Sequence, residues 1–287
     1  MKIFKKILKW GGLGILVLAA VFFGVSEYKI KSAPDPIPVT LTLPTDEISL
    51  AEGERLARIR GCTGCHTETL EGQIFFEDLI FARVVTPNIT GFFHTESVET
   101  LEAAIRQGIG VDGRPLVLMP SDMFSYLTDE DTAKIIAFLK TKPIVENDLP
   151  GNFFGPISRF FFLKGDFKTA PRMIAQNPAF RFDETSNPNL FKGEYIAMTT
   201  CTECHGQNLE GTDEGDFYTP DLSIAAAYTL EEFSHLMNTG EALGGRELGL
   251  MTEVAKSRFS YLFEDEVSAL HAYLLDRAER EMEEGSE

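Results

Sequence analysis

Residues 53–73 read GERLARIRGCTGCHTETLEGQ, and residues 193–212 read GEYIAMTTCTECHGQNLEGT. Both open on Gly-Glu, carry Cys-x-x-Cys-His, and leave through Leu-Glu-Gly. The blocks that follow keep the same order. TPNIT at 86–90 answers TPDLS at 219–223, and GRPLVLM at 113–119 answers GRELGLM at 245–251. FSYLTDEDTAKIIAFL at 124–139 then answers FSYLFEDEVSALHAYL at 259–274. The offset between partners drifts from 132 to 140 residues, as insertions in loops would make it do. Self-similarity at this period means one domain used twice.

Each copy reads as helical. Positions 132, 135, 136 and 139 repeat at helical spacing, and so do 267, 270, 271 and 274. Thr128 is the expected N-cap of the first of these helices, with Asp129, Glu130 and Asp131 in the turn where the helix dipole favours anions. Glu264, Asp265 and Glu266 play that part in the second copy. Residues 97–107 and 229–239 predict a shorter helix in each copy, closed by Gly108 and Gly240. Strand signals are few. Between the copies, about 142–188, the chain is rich in Pro, Gly, Asn and Phe. A disordered linker is poor in aromatics, so this stretch is expected to be an ordered strap packed on one or both domains.

Outward from the first copy lies the N-terminus. Lys2, Lys5, Lys6 and Lys9 precede an uncharged run of 17 residues from Trp10 to Ser26, WGGLGILVLAAVFFGVS. As a helix this run is about 26 Å long, close to the hydrocarbon thickness of a bilayer. It exceeds a signal-peptide core, no small-x-small cleavage site follows, and Lys31 stands badly before a cut after Ala33. An uncleaved anchor is the expectation. The lysines before the span place the N-terminus inside and the remaining chain outside, in the periplasm of a Gram-negative cell.

The 287 residues are 44% hydrophobic and 24% charged, proportions of a globular chain. Six of the 26 basic residues and one of the 44 acidic ones fall in 1–33, which leaves 20 against 43, a net of −23, on the remainder. That excludes a nucleic-acid partner, which would need clustered cations. The acidity is shared by both copies. It serves solubility, or docking to a partner with a basic face.

All four cysteines fall in the two motifs: Cys62 and Cys65 before His66, and Cys201 and Cys204 before His205. Cys-x-x-Cys-His reads as the attachment site of a c-type haem, both thiols adding to the porphyrin vinyl groups with the histidine beneath the iron. Two rivals fit less well. Thioredoxin-like redox chemistry would want a βαβ context, and a Cys₄ zinc site leaves two adjacent histidines unexplained.

With these motifs the chain resembles the class I c-type cytochromes, and more closely the dihaem cytochromes allied to cytochrome subunits of membrane-bound dehydrogenases. The resemblance covers roughly 48–140 and 188–275. It implies an all-α fold: two tandem cytochrome c domains joined by the Phe/Pro-rich strap, with an N-terminal transmembrane helix. The expected parts are 1–33 as membrane anchor, 34–141 as domain 1, 142–188 as linker and 189–287 as domain 2. It implies two covalently bound haem c groups, attached at Cys62, Cys65, Cys201 and Cys204. It also implies a methionine as sixth iron ligand on a loop before the last helix. Met119 of LMPS and Met251 of LMT match, and they share GRxLxLM. The proline that follows the ligand in the family is Pro120 here, but Thr252 follows Met251. The resemblance further makes the carbonyls of Pro87 and Pro220 the expected acceptors of the proximal His Nδ1–H. Met123 has no Met counterpart in the second copy, and Met198 and Met237 fall in helical segments where packing is the plainer reading. His94, His235 and His271 are not repeated, and His271 falls on the apolar face of the last helix as a core histidine.

His/Met ligation closes both axial positions and favours the ferrous form, which suits electron transfer rather than substrate binding. The expected function is a membrane-anchored periplasmic dihaem cytochrome, non-enzymatic. It would carry electrons from a dehydrogenase or quinol-linked complex to a downstream cytochrome or oxidase. The alternative is a dihaem peroxidase-like enzyme, which would need one displaceable sixth ligand. A third expectation is a subunit whose haems serve one fixed dehydrogenase.

Overall fold

The computed structural model describes residues 2–213 and 218–284, so the last residues expected in domain 2, 285–287, lie outside the described residues. Helix α1 (Lys2–Lys31) leads through an extended segment into the first copy. That copy holds α2 (Glu47–Ile59), α3 (Cys62–Cys65), β1 (Gln73–Glu77), β2 (Ala82–Thr86), α4 (Thr90–Thr95), α5 (Val98–Arg106), α6 (Ser121–Phe124) and α7 (Asp129–Leu139). Between the copies come β3 (Phe153–Phe154), α8 (Pro156–Lys164) and α9 (Ala170–Ile174). The second copy begins with α10 (Pro188–Thr200), α11 (Thr202–His205), β4 (Thr212–Asp213), β5 (Tyr218–Thr219) and a 3₁₀ turn at Leu222–Ala227. It closes with α12 (Leu230–Thr239), β6 (Glu241–Ala242), β7 (Arg246–Glu247), α13 (Leu250–Ser257), a second 3₁₀ turn at Phe259–Tyr261, and α14 (Glu264–Glu284).

The helix starts follow from their caps. Thr128 Oγ1 accepts from Asp131 N at the head of α7, and Ser97 Oγ accepts from Thr100 N at the head of α5. Thr229 and Glu232 form a capping box on α12. In each copy the first and last helices cross at a glycine. A Cβ on Gly53 would stand 2.1 Å from Lys134 O of α7, and one on Gly193 would stand 2.1 Å from Ala269 O of α14. Only glycine lets α2 meet α7, and α10 meet α14, at this distance.

The all-α expectation holds for the helical frame and needs one amendment. Three small antiparallel sheets are present among the described residues, ordered β1-β2-β3, β4-β5 and β6-β7. The largest forms because β-branched and aromatic residues flank a turn at Asp78, whose Oδ1 accepts from Ile80 N (2.9 Å) and Phe81 N (2.7 Å). Its register pairs Gln73 with Thr86 and Glu77 with Arg83, with an irregularity between Ile74 and Phe76.

The stretch 142–188 is packed against both copies. β3 extends the sheet of copy one, and Tyr126 Oη donates to Pro178 O at 2.6 Å. Phe180 packs on Tyr126 and on Phe191, and Phe182 packs on Tyr273. Glu194, buried in α10, accepts from the backbone N–H groups of Arg181 and Phe182 at 2.9–3.0 Å.

The copies meet reciprocally. α2 packs on the Phe259–Tyr261 turn of copy two, while α10 packs on α6 of copy one. Arg55 of α2 forms a bidentate pair with Glu266 (2.7 and 2.9 Å) and donates to Tyr261 O. Tyr195 of α10 donates to Asp131 of α7, and Ile59 of α2 is buried in the core of copy two.

Candidate functional site

Each Cys-x-x-Cys-His motif sits on a single helical turn at the end of its copy's first helix. Cys62 and Cys65 bound α3, and His66 follows with its N–H donating to Cys62 O at 2.9 Å. The chain then reverses. Gly72 N donates back to His66 O (3.0 Å), and Leu70 is fully buried beneath the turn. Gly72 takes φ +73°, and a Cβ there would meet Thr86 O at 2.2 Å. That approach brings Pro87 under the histidine, and His66 Nδ1 lies 3.0 Å from Pro87 O. The second copy repeats each step. Gly211 N donates to His205 O (2.9 Å), Leu209 is buried, and His205 Nδ1 lies 2.8 Å from Pro220 O.

A carbonyl only accepts, so Nδ1 carries the proton in both rings and each Nε2 keeps its lone pair. This is the tautomer a metal-ligating histidine needs, oriented by its other nitrogen. Burial holds both imidazoles below their ordinary range, with the Pro carbonyls opposing that shift.

In copy one His66 faces a cavity. Its walls include Met119, Cys62, Arg60 and apolar side chains such as Phe93, Ile105 and Leu139. Met119 is held by a braced loop: Leu116 N donates to Gly108 O (2.7 Å), Ser121 N to Met119 O (2.8 Å), and Ser121 Oγ to Ala104 O (3.0 Å). A nitrogen lone pair, a thioether sulfur and a thiol thus border one apolar space. The buried Nε of Arg60 has no hydrogen-bond partner among the described residues. These residues fit a flat, mostly apolar group with a metal at its centre and a polar edge.

In copy two Met251 and Cys201 pack against the core cluster, and His205, four residues after Cys201, is buried. Met251 stands in the first turn of α13 rather than in a loop, unlike the sequence expectation. Gly249, at φ +58°, turns the chain into this helix, and Thr252 Oγ1 locks its start by accepting from Leu248 N and donating to Gly240 O, both at 2.7 Å. Thr252 replaces Pro120, which instead ends the loop of copy one.

Burial pushes the Cys62 and Cys201 thiols up to about 11. They are neutral at physiological pH, unlike the activated thiolate of a disulfide-exchange site. The other histidines are placed elsewhere. His271 is buried in α14, its Nε2 is 3.0 Å from Tyr228 O, and its ring stacks on Phe233. His94 Nε2 meets Lys142 O at 2.8 Å, and His235 lies on the surface near Glu241.

Sequence reasoning missed the arginines between the motifs. Arg60, two residues before Cys62, donates to Thr199 Oγ1 (3.2 Å), which stands two residues before Cys201. Arg258 crosses from copy two to the end of α2 and to Glu203 inside the second motif. The signal was in the repeat: Arg258 stands where copy one has Met123.

Comparison with known proteins agrees with this geometry. The family model for cytochrome c matches residues 50–142 and again residues 191–278. The chain is 26% identical over 279 residues to the fructose dehydrogenase cytochrome subunit of Gluconobacter japonicus, covering 85% of this chain and 55% of that one. It is 28% identical over 174 residues to the cytochrome c subunit of a quinone-type alcohol dehydrogenase of Gluconobacter oxydans, covering 56% and 35%. It is 22% identical over 262 residues to the gluconate 2-dehydrogenase cytochrome c subunit of Pantoea cypripedii, covering 77% and 58%. The chain spans about half the length of these relatives. Two matched regions, one on each Cys-x-x-Cys-His motif and together more than half of the sequence, establish that the chain belongs to the cytochrome c family.

Proposed function

We propose that the protein is a membrane-anchored dihaem electron carrier. One haem c would be held by Cys62 and Cys65 with His66 and Met119 as iron ligands, and a second by Cys201 and Cys204 with His205 and Met251. A haem so ligated supplies one-electron exchange between ferric and ferrous iron. The chain attaches it, excludes water with apolar walls, and fixes each proximal imidazole through a Pro87 or Pro220 carbonyl. The observation that carries this reading is the duplicated bond, His66 Nδ1 to Pro87 O and His205 Nδ1 to Pro220 O. It leaves an Nε2 lone pair free in both copies.

The domains run 34–141 and 189–287, with 142–188 as the strap. Among the described residues one helix, Ile3–Lys31, is long and apolar enough to cross a membrane. We read it as the anchor, with the haem domains in the periplasm. The relatives are cytochrome subunits of dehydrogenases, which supports a dehydrogenase or quinol-linked donor and a downstream cytochrome or oxidase as acceptor. No specific observation favours the peroxidase-like alternative.

An optical redox titration of the purified holoprotein, with a pyridine haemochrome count, tests the assignment. Two haems per chain and a weak far-red Met–Fe³⁺ band are expected, with Met119→Leu and Met251→Leu each removing about half of that band. A high-spin haem in the half-reduced wild type would overturn it.

A further inference from the structure

We propose that the β1–β2 hairpin and α8 form a second membrane contact, lying in the interfacial layer of the bilayer that α1 crosses, with lipid as the occupant. The inference rests on the reading of α1 as a membrane span and adds a surface to it.

The hairpin and α8 both expose large apolar side chains to solvent. Phe75, Leu79 and Ile80 on the hairpin are 65%, 76% and 59% exposed, and Phe160 on α8 is 56% exposed. Ile157 on α8 and Phe153 on β3, the strand paired with β2, are exposed as well. Soluble proteins rarely leave a contiguous patch of this kind uncovered. It is rigid, because Phe81 joins its two parts. Its ring packs on Phe76 and Phe167, and its carbonyl accepts from Ser158 Oγ (2.6 Å) and Gly155 N (2.7 Å).

The height of the patch relative to α1 is set by an interlock. Arg159 of α8 donates to Ser26 Oγ (3.1 Å) and Glu27 Oε2 (2.6 Å), and Lys29 donates to Leu163 O (2.9 Å). Ser26 is the last residue of the uncharged run. The patch is therefore pinned where α1 passes from hydrocarbon to headgroups, the depth at which monotopic elements bury their apolar face.

Charge and repeat point the same way. Residues 73–86 and 153–167 hold three acidic and three basic residues, net zero, on a body that carries −23 beyond residue 33 (20 basic against 43 acidic). A neutral apolar face suits a lipid surface, and an acidic body would be repelled by anionic lipid unless apolar contact held it. Between the paired Gln73 and Thr86 the first copy reads IFFEDLIFARVV, whereas between the paired Thr212 and Thr219 the second reads DEGDFY. Only the copy locked to α1 carries the apolar insertion, so the cytochrome frame does not require it.

The test uses the full-length holoprotein in phosphatidylcholine liposomes. With the four native cysteines in thioether bonds, a single introduced cysteine takes the spin label. Leu18→Cys, Leu79→Cys, Phe160→Cys and Glu279→Cys are compared for collision with oxygen, which partitions into lipid, and with a water-soluble nickel complex. An unchanged visible spectrum certifies folding, and Phe75→Cys or Ile80→Cys replaces a variant that fails it. Labels at 18, 79 and 160 are expected to gain oxygen collisions and lose nickel collisions relative to 279, at low and high salt alike. A label at 18 in lipid with 79 and 160 in water overturns the second contact and leaves the anchor standing. A label at 18 in water overturns the anchor itself. Labels at 79 and 160 that are shielded only after a second protein is added assign the patch to protein docking and overturn the lipid reading.

Discussion

Arg258 Nε donates to the Ile59 carbonyl at 2.9 Å, so an arginine of the second copy closes the last turn of the first helix of the other. Its Nη1 holds Glu203, between the cysteines of the second motif, at 3.1 Å. Its guanidinium also lies against Gly61, which a Cβ would bring within 3.0 Å of Cζ. One side chain thus links the two Cys-x-x-Cys-His turns, and the copies are expected to unfold as one unit.

Arg258→Met installs the residue that copy one has at this place. It strips a charge-assisted bond from a buried carbonyl and from Glu203, at a cost of about 2 kcal/mol. Denaturant unfolding should show a lower midpoint and a split into two transitions monitored at the two haems. A single, unshifted transition would mean that the other seam contacts, Arg55–Glu266, Tyr195–Asp131 and Arg60–Thr199, hold the copies together without Arg258.

Gly193→Ala should destabilise the second copy through the helix crossing. The new methyl would lie 2.1 Å from Ala269 O, a backbone atom that cannot swing aside. Forced separation of α10 from α14 costs roughly 1–3 kcal/mol. Gly53→Ala should do the same to the first copy against Lys134 O, and thermal unfolding of the pair of variants measures both.

His271→Phe separates a core histidine from a ligand. It deletes the bond to Tyr228 O while keeping an aromatic ring on Phe233. Stability should drop by about 1 kcal/mol, with both haem spectra and potentials unchanged. A shifted Soret band would place His271 on an iron.

Asp122→Asn should stabilise the protein at neutral pH. Burial raises the Asp122 carboxyl above its ordinary range, against bonds from backbone amides and Gln207. A raised folded value means that the ionised form weakens the fold at pH 7 and that this penalty disappears as pH falls through the raised value. The variant should therefore unfold later than wild type at pH 7, and the gap should close towards acid pH. A gap that persists or widens in acid contradicts this.

Electron transfer to a basic partner should slow as salt rises, because the body carries a net −23 beyond residue 33 (20 basic, 43 acidic) spread over both copies. Stopped-flow reduction at two ionic strengths reads it. A flat response leaves the acidity as a matter of solubility.

The repeat, the two Cys-x-x-Cys-His motifs and the cap at Thr128 were legible because each is local: covalent spacing, helix period and first-turn hydrogen bonds act within a few residues. The Pro87 and Pro220 acceptors came from family likeness, and the glycine-turned reversals at Gly72 and Gly211 are what bring them to His66 and His205. The apolar hairpin escaped notice because a dozen residues of mixed apolar and charged type carry no strong period, and only pairing of Gln73 with Thr86 makes them a sheet.

Attachment chemistry and duplication are thus written in residue order, since both depend on neighbours along the chain. How the copies face one another is not. The seam of Arg60, Thr199, Arg258 and Tyr195, and the locking of α8 to the end of α1 through Arg159, join residues 64 to 199 positions apart. Such contacts depend on which surfaces fit when two helical frames and a strap close on one another. Burial and charge pairing across that closure decide them, and these belong to the tertiary structure alone.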